Sequence, residues 1–164
     1  YTDMPEYTAG LNTGFSWKNF DFSMQWTGAW NVDRMLDEFR RPLGDTNEKG
    51  LLLYQYDTTW RSSADTFTAK FPRTSSLHAS NNYAGSDLYL INASYLRLKS
   101  VEIGYNFNFP FMKKLKMDNC RLYVNGYNLI TITGFKWGDP ESRQSSRPNY
   151  PLTRVFNIGL KLGF

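Results

Sequence analysis

Hydrophobic and polar residues alternate one for one in five stretches of this chain, and residues 154–164 show the pattern without a break. Arg154, Phe156, Ile158, Leu160, Leu162 and Phe164 share one parity, while Val155, Asn157, Gly159, Lys161 and Gly163 share the other. Side chains of a strand point alternately to its two faces, so such a stretch is a strand with one apolar and one polar or small face. Residues 7–17 alternate Ala9, Leu11, Thr13, Phe15 and Trp17 against Thr8, Gly10, Asn12, Gly14 and Ser16. Residues 20–31 alternate Phe20, Phe22, Met24, Trp26, Gly28 and Trp30 against Asp21, Ser23, Gln25, Thr27, Ala29 and Asn31, and Lys18-Asn19 between them suits a two-residue hairpin turn. Residues 94–107 set Val101, Ile103, Tyr105 and Phe107 against Ser100, Glu102, Gly104 and Asn106. In their first half Arg97 and Lys99 take the apolar parity and Leu96 and Leu98 oppose it. Either a bulge shifts the register near Lys99, or this half projects beyond the apolar layer. Residues 121–133 set Leu122, Val124, Gly126, Ile130 and Ile132 against Arg121, Tyr123, Asn125 and Tyr127; Asn128 falls on the apolar parity, which predicts a second irregularity.

The connections between these strands run short (18–19), long (32–93), shorter (109–119) and long (134–152). Bacterial outer-membrane barrels alternate short periplasmic turns with long extracellular loops. On that rule 7–17, 94–107 and 154–164 run toward the periplasm, 20–31 and 121–133 run outward, and Phe164 ends at the periplasmic rim. Trp17 and Phe20 at the turn, with Trp26 and Trp30 at the far end, match the aromatic girdles of such barrels. Five strands cannot close a barrel, and open strand edges are not tolerated in lipid. The expectation is therefore all-β: part of a transmembrane antiparallel β-barrel with long extracellular loops. The first long loop is expected to carry structure of its own. Residues 46–60 read as a short helix with Thr46 or Asp45 as N-cap and Glu48 in its first turn, and the cluster 51–56 (Leu51, Leu52, Leu53, Tyr54, Tyr56) is apolar enough to need a contact. A soluble β-sandwich adhesin and a small outer-membrane barrel enzyme are the other readings of the same alternation; the enzyme would need about eight strands to close.

Composition supports the membrane reading. Aromatic residues make up 17% of the 164 residues. Mean hydropathy is −0.53, and no stretch approaches the about 20 apolar residues of a membrane-spanning helix, which leaves barrel strands untouched. The net charge of +4 is scattered, except at Arg40-Arg41 and Lys113-Lys114-Lys116, so it reads as solvated surface rather than a nucleic-acid face. Cys120 is the single cysteine and reads as a small buried hydrophobe. His78 has no Cys, Asp or Glu at ligand spacing, and Ser75, Ser76 and Asp87 lack a nucleophile-elbow motif; neither a metal nor a cofactor is expected, nor catalysis. The chain opens at Tyr1 inside what reads as a loop, with no signal peptide, and an exported protein of this kind is expected to have a further N-terminal part.

Several runs carry a family resemblance. Residues 93–101, Ala-Ser-Tyr-Leu-Arg-Leu-Lys-Ser-Val, continue to Gly104-Tyr105. Arg121-Leu122-Tyr123-Val124 with Asn128-Leu129, then Gly138-Asp139-Pro140-Glu141, Tyr150-Pro151-Leu152 and the closing Gly159-Leu160-Lys161-Leu162-Gly163-Phe164 follow in order. Together with the turn Trp17-Lys18-Asn19-Phe20-Asp21, they resemble the C-terminal part of the SusC/RagA family of TonB-dependent outer-membrane transporters of Bacteroidetes-type bacteria. The resemblance covers nearly the whole chain and falls silent in 32–93. It implies the last five strands of a barrel of about 22. The partners it implies are the plug and other strands of the same transporter, the TonB complex, a SusD-like surface lipoprotein acting as a lid, and outer-membrane lipid. The implied function is import of a nutrient, an oligosaccharide or oligopeptide. In the loops, Trp60, Tyr83 and Trp137 are candidates to stack on sugar faces, and Asp139 and Glu141 to accept hydrogen bonds; the alternative is that these residues pack loop on loop or against the lid. The terminal Phe164 resembles an assembly signal.

Overall fold

A computed structural model describes residues 3–35, 53–74, 81–82, 84–110, 116–142 and 152–164. Strands β1 (Tyr7–Trp17) and β2 (Phe20–Trp30) form a hairpin around Lys18-Asn19, with Trp17 opposite Phe20 and Lys18 at a φ of 53° that suits the tight turn. Beyond β2 a short strand β3 (Asp33–Met35) pairs with β4 (Leu90–Asn92), closing the long connection at its base. Helix α1 (Leu53–Thr58) lies within that connection. Strands β5 (Tyr95–Phe107), β6 (Asn119–Thr133) and β7 (Val155–Gly163) complete one five-stranded antiparallel sheet in the order β1-β2-β5-β6-β7. β6 starts two residues before the boundary read from alternation, and β2 stops one earlier, where Asn31 turns to a φ of 53°.

Register places the apolar residues on one face across all five strands. Phe15, Phe22, Ile103, Val124 and Ile158 stand in one row, and Leu122 and Leu160 pair in the next. Among the described residues no second layer covers this face: Phe156, Ile158 and Leu160 are 71%, 78% and 59% exposed. A β-sandwich would bury such a face, so the sandwich reading fails here. The opposite row runs Asn12, Gln25, Ser100 and Tyr127, and the next Gly14, Ser23, Glu102, Asn125 and Asn157.

The parity conflict in β5 is resolved by a bulge at Lys99. Gln25 pairs with Ser100 but Trp26 pairs with Leu98, so Lys99 is an extra residue against β2. Leu96 and Leu98 thereby join Trp26, Gly28, Ile130 and Ile132 on the apolar face, and Arg97 turns to the polar one beside Thr27 and Thr131. On β6, Asn128 and Leu129 together oppose Lys99, with Asn128 at a φ of 54°. That local twist lays Leu129 over Gly126 on the apolar face, and the Asn128 amide donates to the Thr153 carbonyl at 3.3 Å.

The polar face is cross-linked laterally. Arg121 on β6 reaches across β5 to pair with Asp21 on β2, and also binds Glu102 at 2.7 Å. The crossing needs Gly104 beneath it, since a Cβ there would stand 2.4–2.5 Å from the Arg121 and Asp21 side-chain ends. Asn125 donates to Glu102 at 3.3 Å and Asn157 donates to Asn125 at 2.9 Å, extending the chain of contacts to β7.

Candidate functional site: the loop cap

At the end of the sheet away from the Lys18-Asn19 turn, the two long connections share a small hydrophobic core. Val32, Phe71, Tyr89, Ala93 and Phe135 are buried together, with Met35, Tyr54, Ile91 and Trp137 packed around them. Tyr54 of α1 meets Phe71 edge-on at 5.9 Å and Trp137 of the second connection at 5.1 Å between ring centroids. The Ala93 amide donates to the Val32 carbonyl at 2.8 Å, so the start and end of the first connection are tied together. Among the described residues α1 spans Leu53–Thr58 and ends two residues before the boundary read from the sequence. The Thr58 and Thr59 hydroxyls donate back to the carbonyls of Tyr54 and Gln55 at 2.6 and 2.5 Å, and such back-bonding competes with a continued helix. The cap residues Asp45, Thr46 and Glu48 lie outside the described residues, as do Leu51 and Leu52. Of the apolar cluster, Tyr54 turns inward; Leu53 and Tyr56 stay exposed at 76% and 56%.

The second connection is fastened to the barrel wall by Arg97, which is 1% exposed. Its guanidinium donates to Asp139 at 2.7 Å, to Glu141 at 2.8 Å and to the Thr131 hydroxyl at 3.1 Å. Lys99 adds a contact to Glu141 at 3.4 Å, so two cations meet two carboxylates. Asp139 also accepts from the Glu141 amide at 2.9 Å, and its carbonyl accepts from the Ser142 hydroxyl at 2.9 Å, which folds the segment into a tight turn around the guanidinium. A buried charge is tolerated only when paired and hydrogen-bonded, and this one is. A cavity of about 260 Å³ opens beside the turn, lined by Lys99, Asp139, Glu141, Ser142 and Leu152.

The residues singled out from the sequence are distributed as follows. Asp139 and Glu141 come together, and their acceptor oxygens are engaged by Arg97. Trp137 packs loop on loop against Tyr54. Trp60 lines a separate cavity of about 260 Å³ with Tyr56, Thr59, Arg61, Arg73 and Thr74. Tyr83 lies outside the described residues, with Ser75, Ser76 and His78. Phe164 follows β7 and is 80% exposed. Beside the Trp60 cavity, the amides of Ser62 and Arg61 donate to Asp65 at 2.9 and 3.0 Å and hold its carboxyl below the usual carboxylate value. The turn at Ser62 therefore gains stability above the ordinary carboxylate range and loses it as the pH falls below.

No family model matches this sequence. Among curated proteins, TonB-dependent receptor P3 of Formosa agariphila is 29% identical over 177 aligned positions, covering 98% of this chain and 16% of the relative. TonB-dependent receptor SusC of Bacteroides thetaiotaomicron is 28% identical over 157 positions, covering 94% of the chain and 15% of that receptor. The RagAB peptide transporter superposes with a TM-score of 0.72 at 22% identity, covering 96% of this chain and 17% of that one. The chain resembles a segment of the SusC/RagA-type TonB-dependent receptors over nearly its whole length. It spans about a sixth of the relatives' length. Its sheet is accordingly a piece of an outer-membrane β-barrel. The open apolar face is the one turned to lipid, and the ion-paired face is the one turned inward. Two of the family-like runs meet in space: Arg97 of residues 93–101 holds Asp139 and Glu141 of residues 138–141. Sequence reading missed Arg97 as a partner. The available signal was a charged residue on the wrong parity next to a bulge.

Proposed function

We propose that the chain supplies the last strands, and two outward loops, of a barrel of about 22 strands that imports an oligosaccharide or oligopeptide by TonB coupling. In this reading 32–93 and 134–152 face the outside of the cell and receive the nutrient from a SusD-like lipoprotein seated on them. The carrying observation is the loop cap. Two long connections with a common core and a buried ionic clasp form an ordered platform at one end of a polar-lined wall, where a lid can dock and a solute can be handed inward. Further support comes from the likeness to two TonB-dependent receptors and to a peptide transporter. The test is uptake of radiolabelled oligosaccharides and peptides by cells with and without the full-length receptor gene. Uptake of at least one class should disappear in the deletion strain and on dissipating the proton gradient; uptake unchanged by both treatments would refute the reading.

Phe164 fits the same proposal as an assembly signal. An assembly factor can pair with the unpaired edge of β7 by strand addition and hold the terminal ring in a pocket. Deleting Phe164 is expected to lower the amount of pulse-labelled receptor that reaches the outer membrane, while the inserted fraction keeps near-normal uptake. Equal insertion with and without Phe164 would reduce it to an interfacial packing residue.

A further inference from the structure

The Trp60 cavity has chemistry that the clasp and the loop core do not use. It is lined by two aromatic residues (Tyr56, Trp60), two threonines (Thr59, Thr74) and two arginines (Arg61, Arg73). Among the described residues, no carboxylate lies within ion-pair distance of the guanidinium of either arginine. Asp65, close by in sequence, accepts from the Arg61 amide rather than from its guanidinium. Arg61 is held in place: its guanidinium lies 4.1 Å over the Tyr56 ring and donates to the Tyr56 carbonyl. That arrangement leaves its remaining N–H donors free to bind an anion. Trp60 is half-buried.

Each part of this lining selects against something. The described lining residues include no aspartate or glutamate, so they give a basic side chain or a peptide amine no charged acceptor. They include no leucine, isoleucine, valine or methionine either, and so form no aliphatic slot for an apolar side chain. A flat aromatic surface suits the C–H face of a pyranose ring, threonine hydroxyls suit its hydroxyls, and guanidinium forks suit a carboxylate. The volume of about 260 Å³, below the about 300–1,000 Å³ that encloses a drug-sized ligand, suits a single sugar unit of a longer chain.

We propose that the Trp60 cavity is a binding subsite for a uronate unit of an acidic oligosaccharide, with Arg61 and Arg73 on its carboxylate and Trp60 against its ring. This rests on the importer reading for its physiological meaning but not for its binding chemistry. The experiment is isothermal titration of the purified full-length receptor, in detergent with its native partner subunit, against tri-galacturonate, neutral galactotriose and triglutamate. Tri-galacturonate should bind about ten-fold more tightly than galactotriose or more. Arg73→Gln and Arg61→Gln should remove that advantage while leaving galactotriose unchanged, and Trp60→Ala should weaken both sugars. Arg73→Lys, which keeps the charge and loses the fork, should fall between. Heat-resistant migration of each variant shows that the barrel has folded. Equal binding of the acidic and neutral sugars, tri-galacturonate binding unaltered in Arg73→Gln, or tighter binding of triglutamate would each overturn the proposal. Titration in detergent needs no energised transport, so a failed binding assay and a failed uptake assay are told apart.

Discussion

Replacing Arg97 by leucine should release the second loop from the barrel wall while leaving the barrel intact. Removing one partner of a buried ion pair costs about 3–5 kcal/mol, chiefly because the other charge is left buried and unpaired. Here that burden falls on Asp139, whose side chain is 9% exposed, and less on Glu141, at 39%. The lower figure is therefore the better guide, about 3 kcal/mol, or roughly a hundred-fold in the equilibrium for local opening. The measurement is the rate of limited proteolysis within 134–142 in the full-length receptor, with hydrogen exchange at the Glu141 amide as a second probe. Asp139→Asn should open the loop more than Glu141→Gln does, following burial. Heat-resistant migration should stay as in the unaltered receptor, because the clasp is made by side chains and its loss leaves the backbone ladder between β5 and β6 in place. Cleavage of the Arg97→Leu variant at the unaltered rate would show that the hydrophobic core alone holds the loop.

The second large effect is expected on the sheet's apolar face. Ile103 sits mid-strand in β5 between Phe22 and Val124, with Ile158 in the same row. An arginine there would face hydrocarbon one row in from Trp17, Phe20 and Tyr105, at a cost of about 2 kcal/mol, the low end of the range for lipid-facing arginine. Ser23→Arg, on the opposite face beside Glu102, should cost far less, because it meets water and a carboxylate. Comparing the folded fraction of full-length receptor refolded into phospholipid vesicles across a urea series measures both. Equal losses for the two variants would mean that the faces have been assigned the wrong way round.

Much of this was legible because strand alternation survives in a linear reading. Parity alone assigned Phe15, Phe22, Met24, Ile103, Ile158 and Leu160 to one face, and Asn12, Ser23, Gln25, Asn157 and Lys161 to the other, as the register has them. It also flagged Lys99 and Asn128, because a bulge leaves a parity error behind it. The loops were legible in outline only. The need of the 51–56 cluster for a contact was met by Tyr54, while Leu53 and Tyr56 remained outside. Periodicity carries no information on which of six residues a short, back-bonded helix turns inward. The Arg97 clasp was invisible for a different reason. Its carboxylates lie 42 and 44 residues away, beyond any local rule, and Asp139 and Glu141 read equally well as open acceptors.

The loop core has a consequence for the order in which the segment takes shape. Its members come from far apart in the chain: Tyr54 meets Trp137, and Val32 and Phe135 share one cluster. Contacts of such wide separation are entropically costly until something else has brought their ends together. The hairpins do this, because pairing β2 with β5 and β5 with β6 sets Val32, Ala93 and Phe135 side by side. The cap is therefore expected to follow strand pairing, and its members to come together on a frame that the strands have already laid down.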